Sequence, residues 1–140
     1  MSYIDTDIIK GFIKQNSWLT VDEDEQQEVT GVNELILQID SIIFNKTGVA
    51  IPASDPTEAP GIIRNVACAL FVWFSSGKQG DISSDERLRR ERLYYEAMIY
   101  LNAVESGDIN VYNDAGEIVS TQNNPLAATF ESTQRITEML

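Results

Sequence analysis

Side chains that could do chemistry are few in this chain, and their spacing fits no common reaction. Asp22, Asp24, Gln26 and Glu28 alternate as the oxygen ligands at the start of a calcium loop do. Such a loop also needs a glycine at its sixth position and an acid at its twelfth, and the twelfth here is Asn33. These acids read instead as a solvated helix start, where free N–H groups favour negative charge. Ser76-Gly77-Lys78-Gln79-Gly80 holds a Gly-Lys pair but lacks the upstream glycine, the following Ser/Thr and the preceding strand of a phosphate loop. No histidine is present, which removes the commonest general base and metal ligand and every triad that depends on one. Cys68, the only cysteine, sits in VACALF with no neighbouring base or cation, so it reads as an inert core thiol. The expectation is a protein that is not an enzyme and holds no cofactor and no metal.

The concentrated positive charge is Arg87, Arg89, Arg90 and Arg92. At helical spacing these four spread round most of the circumference and make no single basic stripe. Glu86 lies four before Arg90 and Glu96 four after Arg92, which favours solvated or intersubunit ion pairs. Contact with another protein is the second reading of this cluster, and nucleic-acid binding the third. Tyr94, Tyr95 and Tyr100 belong to the core or its edge, with one of the three expected to face outward as an anchor. The net charge of -12 is uneven: residues 1–60 carry 3 Lys/Arg against 11 Asp/Glu, 61–105 carry 6 against 6, and 106–140 carry 1 against 5. Acidic ends and a balanced middle argue against tight binding to a phosphate backbone.

Four helices are needed to position these residues. Asp5 or Thr6 caps a short helix bearing Ile8, Ile9, Phe12 and Ile13 and ending near Gln15-Asn16. A second helix is expected from about Asp22 to Phe44, because Val29, Val32, Leu35, Ile36, Ile39, Ile42 and Ile43 recur at spacings of three and four. Gly48 can end it in the left-handed conformation. Residues 49–60 hold three of the four prolines and form a loop packed through Val49 and Ile51. The third helix, roughly Thr57 to Ser75, is apolar on nearly every side from Val66 to Phe74 and must be surrounded. Those nine residues are far fewer than the roughly 20 of a membrane span. Ser83, three before Glu86, starts the fourth helix as a capping box. It turns Tyr94, Ala97, Met98, Leu101 and Val104 inward and closes at Gly107. The ten-residue break between helices three and four is too long for a DNA-binding helix-turn-helix.

Beyond Gly107, alternation around Asn113-Asp114-Ala115-Gly116 suggests a small β-hairpin with strands near Ile109–Tyr112 and Glu117–Ser120. The last twenty residues are polar and order best against a partner. The fold class is therefore all-α, a small bundle of about four helices (1–107) with a C-terminal hairpin and assembly tail (108–140). Acids in MSYIDTDII, where a secretory signal carries positive charge, lead to the expectation of a cytoplasm-like compartment.

The order of parts resembles the small helical head–tail connector (adaptor, head-completion) proteins of tailed bacteriophages and prophages, the Mu-like group included. Carrying the resemblance are Tyr3-Ile4-Asp5 before the first helix, Leu35, Ile39-Asp40 and Ile43, the Pro-containing loop, and Ile62-Ile63, Val66-Ala67 and Leu70. Arg89-Arg90, Tyr94, Ala97, Tyr100-Leu101, Val104 and Gly107 complete it. It covers about Ser2 to Gly107. It implies a homo-oligomeric ring of about a dozen copies in the virion neck, assembled in the host cytoplasm. The ring would dock on the portal protein, line the channel through which DNA passes non-specifically, and seat a tail or stopper protein. On that reading Asp22, Glu23, Asp24 and Glu25 are candidate lumen acids. Arg87, Arg89, Arg90, Arg92, Tyr95, Tyr112, Phe130, Ile136 and Leu140 are candidate interface residues. The alternative is a small regulatory module that binds one cellular protein through the Arg87–Arg92 helix.

Overall fold

The computed structural model describes residues 2–16, 29–75 and 83–121. Four α-helices order them: α1 (Thr6–Gln15), α2 (Val29–Thr47), α3 (Gly61–Ser75) and α4 (Ser84–Glu105), with one turn of 3-10 helix at Pro56–Glu58. The expected all-α class is what the described residues form. Asp5 caps α1 by accepting from the Ile8 N–H at 2.8 Å, and Ser83 caps α4 by accepting from the Glu86 N–H at 3.2 Å. Each satisfies one of the donors a helix start leaves open. α2 and α4 end where the chain turns left-handed, at Gly48 (φ 68°) and Gly107 (φ 85°). A side chain at either position would be strained.

α3 is the hub, packing on α1, α2 and α4. Its residues Val66 to Val72 are all buried, which answers the lack of a polar side in its sequence. α2 contributes Val32, Ile36, Ile39 and Ile43, and α4 contributes Ala97, Leu101 and Val104. The C-terminal ends of α2 and α4 meet at Lys46, whose Nζ donates to Asn102 Oδ1 at 2.7 Å and lies 3.6 Å from Glu105. Ahead of α1, Tyr3 and Ile4 are fully buried. Asp40 of α2 holds them, its Oδ1 accepting from the Tyr3 N–H at 3.2 Å and the Ser2 hydroxyl at 3.0 Å, while the Tyr3 hydroxyl donates to the Val49 carbonyl.

Several expectations are corrected. α3 begins at Gly61, not Thr57, because Asp55 starts a separate 3-10 turn and the Pro60 carbonyl accepts the Ile63 and Arg64 N–H groups. In the loop before it Val49 is buried as expected, but Ile51 is exposed and Pro52 takes the inward place. The hairpin shrinks to a single antiparallel bridge, Tyr112 to Ile118, with no strand. Val111, in the segment read as an assembly tail, is fully buried in the helical core. The start of the second helix, Asp22 to Glu28, lies outside the described residues.

Candidate interaction surface

The arginine cluster divides. Arg87, Arg89 and Arg92 are exposed, whereas Arg90 is 1% exposed. Arg90 is thus corrected from an interface residue to a core one. It points between α4 and α3, where its guanidinium donates to the Val72 carbonyl at 3.2 Å and sits 3.6 Å from Glu86, which is also buried. Burial pushes the Arg90 guanidinium below its usual pKa, and the Glu86 carboxylate opposes that shift. The pair joins residues four apart on α4, as expected, but it serves the interior of one chain. No ion pair forms between Arg92 and Glu96, both exposed.

Of the three tyrosines, Tyr94 is an edge-of-core residue stacked on Trp73 (centroids 5.8 Å apart, 24° between planes) and packed on Phe74. Tyr100 is half-buried, and desolvation raises its phenol pKa. Tyr95 faces outward, 56% exposed, between Leu88 at 63% and Ile99 at 68%. α4 therefore has an apolar stripe on each side. Sequence reasoning found the inward one and the Tyr95 anchor but missed Leu88 and Ile99, although their spacing of seven and four from Tyr95 was there to be read. On α2, Leu37 and, to a lesser degree, Phe44 are exposed as well.

Tyr112 and Ile118 project from the turn that follows α4. That turn is fastened to the bundle. Asp114 accepts from the Gly61 N–H at 3.3 Å and lies 3.8 Å from Arg64, and the Thr121 N–H donates to the Thr47 carbonyl at 3.0 Å. Phe130, Ile136 and Leu140, and the acids Asp22, Glu23, Asp24 and Glu25, lie outside the described residues.

Two shallow grooves flank α1. One, about 350 Å³, runs between Phe12, Ile62, Val66, Leu93 and Tyr100. The other, about 370 Å³, has Arg64, Asn65 and Cys68 along it. Burial pushes the Cys68 thiol up to about 12, so it carries no nucleophilic thiolate near neutral pH. Among the described residues no three His, Cys, Asp or Glu side chains stand close enough to hold a metal ion, and no helix is long and apolar enough to cross a membrane. What the surface offers is area for contact, centred on the outer face of α4. Comparison with family models, curated proteins and solved structures found no match.

Proposed function

We propose that the chain is a head–tail connector of a tailed phage particle, a subunit of a ring that sits under the portal and receives the tail. The observation that carries this reading is the double-sided α4. One side closes the bundle, and the other holds Leu88, Tyr95 and Ile99 out among Arg87, Arg89 and Arg92. A chain of this size that leaves large apolar side chains on an otherwise charged helix has surface to share with neighbours. Leu37 on α2, and Tyr112 and Ile118 on the turn, extend that surface to other sides of the molecule, as a subunit with neighbours beside, above and below requires. The net charge of -12 suits a channel wall that DNA slides past.

The exposure of Arg87, Arg89 and Arg92 on one helix also favours the second reading, a module that docks on one acidic protein partner. Coexpression with the portal protein encoded in the same locus separates the two. The connector reading expects a ring seated on the portal in negative-stain images, and loss of tails from filled heads when the gene is deleted. A locus without a portal gene, or a chain that never joins the portal, ends it.

A further inference from the structure

The outer face of α4 presents Leu88, Arg92, Tyr95 and Ile99 at successive spacings of four, three and four, all exposed. At 100° per residue they stay within a strip about 60° wide. That spacing is the seam of a coiled coil, with Leu88 and Tyr95 in one of its two register positions and Arg92 and Ile99 in the other. We propose that α4 pairs with α4 of a second copy of this chain, antiparallel, about a two-fold axis that crosses the helix between Leu93 and Tyr94.

The order of side chains selects both partner and direction. Reversed onto itself, the strip sets Leu88 against the partner's Ile99 and Arg92 against the partner's Tyr95. The Arg92 guanidinium then lies over a tyrosine ring, a contact favourable for a cation, between the partner's Glu91 and the partner's Glu96. In a parallel pair Arg92 would meet Arg92 of the partner subunit inside the seam, a repulsive arrangement. A surface that complements its own reverse is what a two-fold contact needs. Such a contact closes on itself and cannot propagate into a ring. In the free protein it would therefore cover the helix face nominated above for contacts in the particle. The inference rests on the spacing and charges of α4 and does not depend on the connector reading.

The test uses the full chain in isolation. Sedimentation should show a dimer at concentrations up to about 100 µM, and Ile99→Glu should raise its dissociation constant by about tenfold or more, since it buries a charge against Leu88. Ile99 is exposed in the subunit, so the circular dichroism of the variant should not change. Direction is read from spin labels placed singly in a Cys68→Ala background. Labels at Asp85 should be about 25 Å apart along the axis, and labels at Glu96 within about 8 Å, from the 1.5 Å rise per residue. A monomer throughout that range, an assembly that Ile99→Glu leaves intact, or equal separations at the two sites would each overturn the proposal.

Discussion

Asp40 shows how one buried side chain can set both a fold contact and a pH response. It accepts from the Tyr3 N–H and the Ser2 hydroxyl, yet desolvation outweighs those bonds and raises its carboxyl above the usual range. A raised folded-state pKa means that protonation favours the folded chain. The contribution is complete below the unfolded carboxylate value and is lost as pH rises through the folded one. Asp40→Asn keeps an acceptor for both donors and cannot ionise. Its stability relative to the parent should therefore shift in the parent's favour as pH falls from about 7 to about 4. Denaturant melts of both proteins at the two values check this, and an unchanged difference would mean that the carboxylate is not desolvated. Asp40 entered the reading of the sequence only beside Ile39 in the resemblance, and its partner was not legible. Nothing in local spacing says that residues 2 and 3 meet a side chain 38 and 37 positions further along the chain. Arg90 failed for another reason: an arginine was assigned outward by residue type. Yet Val104, Leu101 and Ala97 continue back along the same inward face to Arg90 and Glu86. With both buried, removing either leaves the other's charge in the interior without its countercharge on α4, at a cost of about 3–5 kcal/mol.

Among the elements, those with a strong period were legible and those set by distant contacts were not. From Val32 to Ile43 the α2 stripe stands where periodicity put it, as does the inward face of α4, and α1, α2 and α4 end at the caps and glycines that the sequence marks. The start of α3 was misread because Pro56 can open either a helix or a single 3-10 turn, and the Asp55 cap decided for the turn. The segment after Gly107 was misjudged more seriously. Its composition suggested assembly, but Val111 fills the core, the Val111 N–H donates to the Ser120 hydroxyl at 2.9 Å, and Val119 packs beside it. Gly107 is thus the end of a helix and not the edge of the packed unit. Val111→Ala should lower stability by about 2 kcal/mol through lost burial and a cavity. A chain ended at Gly107 should lose at least as much, because it also gives up Asp114 at the start of α3. Thermal melts followed by circular dichroism measure both. A truncated chain as stable as the parent would restore the boundary at Gly107.

At the scale of the whole molecule, charge decides more than shape. Ten Lys/Arg stand against 22 Asp/Glu, and the exposed Arg87, Arg89 and Arg92 are interleaved with Asp85, Glu91 and Glu96. Binding to duplex DNA takes its strength from phosphates neutralised by cations, and each such contact steepens the fall of affinity with salt. Arg90, the fourth member of the cluster, is committed to the core and can meet no phosphate. The long-range field of the chain is repulsive to DNA, and salt that screens this repulsion weakens any arginine contact as well. We therefore expect no complex with a duplex of about 30 base pairs tighter than micromolar at about 150 mM salt. Fluorescence anisotropy with two unrelated duplexes measures it. Tight binding to one duplex and not the other would demand a reading surface that the interleaved charges of α4 do not provide. It would turn the interpretation from a wall that DNA passes to a protein that holds it.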